Sequence, residues 1–527
     1  MLLKSIEKLI QTAPEKGLDE TINEWFTPIS DAWQNIVLFR IFDIPFILIL
    51  LVGGALLFTV VFSFINLRRF PLAINIVRGK YDEIEQGGDP VTTPNLNVVD
   101  GDIVDTIRKE GHAGEVSHFQ ALATAVSGTV GLGNIAGVAL AIALGGPGAT
   151  FWMIVCGLLG MSTKFVECTL GVKYRDMGKD GTVYGGPMYY LKKGFDDIGK
   201  AGIGKALAVV FAVLCIGASF GGGNMAQSNQ AASQLASLMN LEGGSAGTII
   251  GVFIAFIIGI VIIGGIKRIA SVTEKIVPFM AIIYVAACLF IIFAHFSFID
   301  DAFALIFKNA FTPEAGLGGI FGVMIVGFQR AAFSNEAGAG SASIAHSAVK
   351  TKYPASEGLV ALLEPFIDTV VICTMTALVI IIYNTGNVFE YGVGEVIIDG
   401  QPVEGSVLTS MAFADVIPWF PYILTIAIVL FAISTMISWS YYGLQAWFYL
   451  FGKSKLADLS YKILFLIFIV IGAAANMSAV WGFSDAMILA MVYPNMIGLL
   501  ILFPKVKQEL NRYLDAIGVS RFFNKKD

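Results

Sequence analysis

Two stretches of this chain join residue types that could hold a small ion and a polar solute together. They are "GTVGLGNIAGVALA" at 128–141 and "AAFSNEAGAGSASIA" at 331–345. Both lie within long apolar runs, yet the first holds four glycines and an asparagine, and glycine costs about 1 kcal/mol against alanine in a helix interior. Irregular backbone at membrane depth persists only where protein buries it or where it lines a cavity. The glycines therefore predict a cavity. At a break in a helix the freed N–H groups attract an anionic group, and the freed carbonyls coordinate a cation such as Na⁺. A zwitterionic amino acid together with Na⁺ offers what two such breaks can bind. Spacing such as Gly133 to Gly137 also serves close helix packing. Packing does not need asparagine, however, and Asn134 and Asn335 stand beside the glycines in matching positions of the two stretches.

Other polar residues in apolar runs are candidates of lower rank. Gln227 in "GGGNMAQSNQ" could contact a solute, with Asn224 and Gln230 as competitors and interhelical hydrogen bonding as the plainer role. Arg330 and Glu336 flank the second break, where an ion pair or gate is expected. Lys164 with Glu167, and Glu364 with Asp368, are helix neighbours able to pair and lower the cost of their burial. The four histidines (His112, His118, His295, His346) form no ligand cluster in the sequence, and the five cysteines lie in apolar runs without a CxxC pair. Neither set suggests a metal site or a disulfide.

The elements that must position these residues follow from composition. The chain is 56% hydrophobic and 14% charged over 527 residues, with a mean hydropathy of +0.75, which marks an all-α polytopic membrane protein. A net charge of −6 supplies no basic field for nucleic acid. No cleavable signal peptide is apparent in the first forty residues, which are amphipathic and charged. Runs of about 20 apolar residues predict eleven spans, near 44–66, 118–143, 147–173, 205–238, 247–265, 275–297, 317–346, 356–383, 417–451, 459–477 and 483–503. Of 34 Lys and Arg, 27 fall in alternate connections starting from 67–117, and five fall on the opposite side. The positive-inside rule then places the N-terminus outside and the C-terminus in the cytoplasm of a cell-membrane protein. The two broken stretches lie five spans apart, so they enter from opposite faces, the pattern of a 5+5 inverted repeat. The expected parts are an extracytoplasmic segment (1–43), an accessory helix (44–66), two five-helix repeats (118–297 and 317–504) and a cytoplasmic tail (505–527).

"VGLGN" at 130–134 resembles the broken first core helix of LeuT-type neurotransmitter:sodium symporters. Together, "GTVGLGNIAGVA", "GGPGATFWM" (145–153), "YGGPMYYL" (184–191) and "FSNEAGAGS" (333–341) resemble the alanine or glycine:cation symporter family, also called sodium:alanine symporters. The resemblance covers roughly 118–504. One departure is Ile154, where the family often has a second Trp. The resemblance implies that the amides of Leu132 and Gly133, beside Gly131 and Asn134, meet a substrate carboxylate, and that the Thr129 carbonyl faces the ammonium. It implies Na⁺ held by the carbonyls of Ser127 and Val130, with a hydroxyl from "FAISTMISW" (431–439). There Ser434, Thr435 and Ser438 compete, Thr435 is favoured, and Thr435 and Ser438 share a helix face. Trp439 lies four residues after Thr435 on that face, and Phe333 adjoins Ser334 and Asn335 at the second break. These two rings are expected to wall the substrate side chain and to limit transport to glycine, alanine and similar neutral amino acids. The expected protein is a Na⁺-coupled symporter that works as a monomer. A proton-coupled symporter of the same fold, or a glutamine-type substrate, is the alternative. A channel would need rings repeated by oligomer symmetry, and no HExxH, GxSxG, CxxC or P-loop supports an enzyme.

Overall fold

A computed structural model describes residues 18–86, 98–99, 102–103, 115–178, 182–239, 241, 245–263, 265–312, 319–394, 396–398, 400–403 and 405–520. Helix dominates, and the strands among these residues form four short antiparallel hairpins. Among the described residues seven helices are long and apolar enough to cross a membrane, or eight if one bent pair counts as a single span. Each of the eleven expected stretches contains a helix or a helix pair, but several are too short or too polar to meet that criterion alone.

Helix α1 (Leu18–Val37) and helix α2 (Phe46–Val61) precede the core. Helix α1 was not expected to pack as a defined element. It lies along the last helix, where the Ser30 hydroxyl donates to the Ala479 carbonyl at 2.7 Å. The first broken pair is α3 (His118–Thr129) and α4 (Ala136–Gly145), bent by 56° about a 3₁₀ turn at Leu132–Asn134. Helix α5 (Gly148–Lys173) follows. Then α6 (Ala201–Phe220) runs through a π-helical turn, Gly221–Met225, into α7 (Ala226–Met239). Helices α8 (Ala246–Ile262) and α9 (Gly265–Ala294) complete the first half.

The second broken pair is α10 (Gly319–Asn335) and the five-residue α11 (Ala342–His346). Beyond it, α12 (Pro354–Ala361) leads through a π-helical stretch, Phe366–Cys373, to α13 (Thr374–Tyr383). The connection at 384–416 is not a simple loop. It carries a short hairpin and α14 (Gly405–Val416). Helices α15 (Phe420–Phe451), α16 (Lys455–Ala474) and α17 (Met477–Ala516) close the core.

The expected tail at 505–527 is corrected in part. Helix α17 continues unbroken through Pro504 because its last turns bury Val506, Leu510, Tyr513 and Leu514. Residues 521–527, and 1–17 of the expected N-terminal segment, lie outside the described residues, as do His112, Glu395, Asp399 and Glu404.

Small residues set the core's close approaches. A Cβ at Gly160 of α5 would stand 2.8 Å from Ala337 Cβ in the second break, and one at Gly171 would stand 2.9 Å from the Ser343 carbonyl oxygen. Helix α5 can therefore lie directly against the irregular backbone, the role small residues play in membrane packing.

Candidate substrate and ion site

The first break opens at Val130, whose φ of −75° and ψ of 89° leave the helical region. Glycine is required at 131 because a Cβ there would stand 2.5 Å from Thr435 Oγ1 and 3.0 Å from Gln227 Oε1. The Gly131 amide donates to Asn134 Oδ1 at 2.9 Å, and the Leu132 amide donates to Gln227 Oε1 at 3.1 Å. Gln227 in turn donates to the Gly222 carbonyl at 2.9 Å. Gln227 therefore holds the very amide expected to meet a carboxylate, and a substrate would have to displace it. That makes it the strongest of the three polar candidates on this stretch. Asn224 and Gln230 turn elsewhere, Asn224 to the Phe465 carbonyl and Gln230 to Asn229 and Ser406.

The second break relies on left-handed backbone at Glu336 (φ 54°), Gly338 (φ 94°) and Gly340 (φ 90°). Glu336 is the costly one, since left-handed backbone disfavours side chains with a Cβ. Asn335 caps the break by accepting from the Ala337 amide at 3.0 Å, and its Nδ2 donates to Thr369 at 2.9 Å. The two breaks touch: a Cβ on Gly133 would lie 3.4 Å from Ser334 Cα and 3.5 Å from the Phe333 ring.

Helix α15 brings the hydroxyls. Thr435 Oγ1 donates to the Ser127 carbonyl at 2.9 Å, so two of the expected Na⁺ oxygens already meet. One turn on, Ser438 Oγ is buried without a hydrogen-bond partner, and a turn further the Tyr442 hydroxyl is likewise orphaned beside Gly128. Thr435, Ser438 and Tyr442 share one face of α15. Unsatisfied buried oxygens call for an explanation, and a bound cation beside the Ser127 and Val130 carbonyls fits them. Ser434 is engaged otherwise: it donates to Phe431, and its carbonyl accepts from Ser127 Oγ at 2.9 Å. The Thr129 hydroxyl bonds back within its own helix.

Both expected wall rings pack on the glycine-rich π turn. A Cβ on Gly222 would stand 3.4 Å from Phe333 Cε2, and one on Gly223 would stand 2.2 Å from Trp439 Cγ. Trp439 is fully buried, and its Nε1 donates to Glu336 Oε1 at 3.0 Å.

Several expected pairings are corrected. Arg330 pairs with Asp485 of α17 and not with Glu336, which accepts from Ser341 and Trp439. The Arg330 guanidinium lies 5.7 Å from the centroids of both Phe333 and Trp481, whose rings stand 4.9 Å apart. Arg330, Trp481 and Asp485 of this cluster line a cavity of about 360 Å³, with residues of α4, α10, α14 and α17 around it. On the opposite side Lys164 pairs with Glu364 at 3.0 Å and not with Glu167. Glu364 is thereby taken from Asp368, which instead binds Asn134, Ser334 and Thr369.

The histidines, given no role by the sequence, extend this ionic chain. His346 faces Glu364 at 3.5 Å and Glu357 at 2.5 Å. Glu357 also binds His118, whose Nε2 lies 2.6 Å from Glu85. The chain ties the start of α3 and the end of α11 to α12. Its partners stand far apart in sequence, His118 and Glu357 by 239 positions, and no local periodicity signals contacts of that kind.

Comparison with known proteins places these features among transporters. The model of the sodium:alanine symporter family matches residues 96–521. The chain is 39% identical to the sodium/alanine symporter AgcS of Methanococcus maripaludis, over 89% of this chain and 94% of that protein. It is 35% identical to the probable sodium/glutamine symporter GlnT of Bacillus subtilis, over 76% of this chain and 78% of that one. To the sodium/proton-dependent alanine carrier protein of Bacillus sp. (strain PS3) it is 33% identical, over 78% and 91%. Among solved structures, MhsT in complex with L-phenylalanine aligns with a TM-score of 0.49 at 15% identity, over 75% of this chain and 99% of that one. The fold described above rests on the chain's own geometry.

Proposed function

The chain belongs to the sodium:alanine symporter family, and from that premise we propose that it couples Na⁺ entry to the uptake of alanine, glycine and similarly small neutral amino acids by alternating access. Membership carries cation-coupled amino-acid transport across a membrane; the ion and the substrate are our reading. The observation that carries it is the convergence of oxygens at the first break. The Ser127 carbonyl and Thr435 hydroxyl lie 2.9 Å apart, and the orphaned Ser438 hydroxyl is one turn away. A Na⁺ ion would replace that hydrogen bond, with the Val130 carbonyl beside it. The substrate carboxylate would take the Leu132 and Gly133 amides as Gln227 moves aside, with its ammonium toward the Thr129 carbonyl. Its side chain would face Phe333 and Trp439.

Two devices would govern access. Arg330–Asp485 with Phe333 and Trp481 closes one side, and the chain from Lys164 to Glu85 closes the other. In the orientation we propose, the N-terminus is outside and the C-terminus cytoplasmic, which puts the 360 Å³ cavity on the outer face. The protein would work as a monomer.

Uptake by purified protein in liposomes, with a panel of labelled amino acids and an imposed Na⁺ or H⁺ gradient, tests this reading. Alanine or glycine uptake driven by Na⁺ is expected. Preference for glutamine, or uptake that ignores Na⁺, would overturn it.

A further inference from the structure

The breaks meet at a carboxylate whose pairing the sequence misplaces. Asp368 is fully buried in the π-helical stretch between α12 and α13. Its Oδ1 accepts from Asn134 Nδ2 at 2.7 Å, and its Oδ2 accepts from Ser334 Oγ at 2.8 Å and from Thr369 Oγ1 at 2.7 Å. Asn134 belongs to the first break, and Ser334 lies in the last turn of the long half of the second. One acid therefore bonds both discontinuous helices.

All three donors are neutral. The charged groups on the elements packed against this stretch are committed elsewhere. Lys164 of α5 pairs with Glu364 at 3.0 Å, Lys173 with Glu509 at 2.5 Å, and Arg330 of α10 with Asp485. Glu167 accepts from Asn495, Glu336 from Ser341 and Trp439, and His118 of α3 binds Glu85 and Glu357. Among the described residues no cation pairs with Asp368. An uncompensated carboxylate in a membrane interior is costly, and binding a proton removes that cost. The surroundings accept the neutral acid too. Ser334 can reverse its role, accepting from the carboxyl and donating toward Cys373 Sγ at 3.5 Å. π-Helical turns of this kind also recur at functional sites.

We propose that Asp368 is a proton-binding site of the transport cycle, occupied while the two breaks are closed on each other and emptied when they separate. Two of its three donors ride on the segments that alternating access must move, so separation strips the carboxyl of Asn134 and Ser334 and admits water. Proton binding and closure are then linked, and each changes the other by the same factor. The inference rests on the transporter reading above.

The experiment uses the full-length protein in weakly buffered detergent solution with a pH-indicator dye. Na⁺ is present, and the amino acid is the one the uptake panel selects. Substrate binding is followed in parallel by calorimetry, so loss of binding, which concerns the transporter reading, is distinguished from loss of proton exchange. Closure on substrate should take up as much as one proton per protein in the wild type. Asp368→Asn mimics the protonated acid and should abolish that uptake, together with the pH dependence of transport in liposomes. Binding without proton exchange in the wild type would overturn the proposal, and that measurement stands even if the variant does not fold. Unchanged proton uptake in a folded Asp368→Asn protein would also overturn it.

Discussion

Thr435→Val removes one oxygen from the proposed ion site while keeping the volume that packs against Gly131. The wild-type hydroxyl donates to the Ser127 carbonyl at 2.9 Å in a fully buried setting. With Na⁺ bound that hydroxyl would turn its oxygen to the ion instead, and leaving a buried charged group short of one polar partner costs about 1–3 kcal/mol. At about 1.4 kcal/mol per decade, that predicts a rise of roughly 5- to 140-fold in the Na⁺ concentration giving half-maximal uptake. Apparent affinity for alanine should fall in step, because coupled binding is reciprocal. Thr435→Ser, which keeps the oxygen, should stay within a few-fold of wild type. The assay is alanine uptake by liposomes over a Na⁺ titration, with a thermal melt to show that each variant is folded. A folded Thr435→Val protein with an unchanged Na⁺ dependence would refute the ion site, since the substitution removes one of its proposed oxygens.

Replacing Trp439 with a smaller residue should admit bulkier amino acids; a wild-type rank order among glycine, alanine, leucine and phenylalanine would remove Trp439 from the pocket wall. Asp485→Asn leaves the buried Arg330 guanidinium without its partner and should destabilise the protein by about 3–5 kcal/mol, read as a lowered Tm; an unshifted melt would mean that the pair is solvated. A reporter active only in the cytoplasm should work when fused after Asp527 and fail when placed within 384–412, and the reverse would invert the proposed orientation.

The long apolar helices and both breaks were legible because membrane burial imposes two strong local signals. About 20 apolar residues are needed to cross, and glycine is hard to explain inside a helix at that depth. The expected 147–173 and 356–383 spans coincide with helical segments found at 148–173 and 354–383. What escaped is chosen by the folded chain. Arg330 sits six residues from Glu336 yet selects Asp485, 155 positions away, because the strained backbone at Glu336 turns that carboxylate toward Trp439. Asp368 stands one turn from Glu364 but bonds Asn134 and Ser334, one from each break. Local spacing could not rank these partners. Helix α17 outran its expected end for a related reason: the turns after Pro504 are held by contacts to distant residues, Glu509 with Lys173 and Tyr513 with Glu85.

The seating of Trp439 on Gly223 bears on how relatives of this chain could change diet. The indole rests where a glycine Cβ would be, 2.2 Å from Trp439 Cγ, so even alanine at 223 would push the ring off its seat. In the proposed pocket the surface behind the ring is thus main chain, which mutation cannot trim. Widening has one inexpensive route, exchange of the ring itself, whereas the glycine can only be traded for something that intrudes. Lineages drifting toward larger nutrients should therefore record the change first at the aromatic position, with the glycine turn left in place as an inherited template.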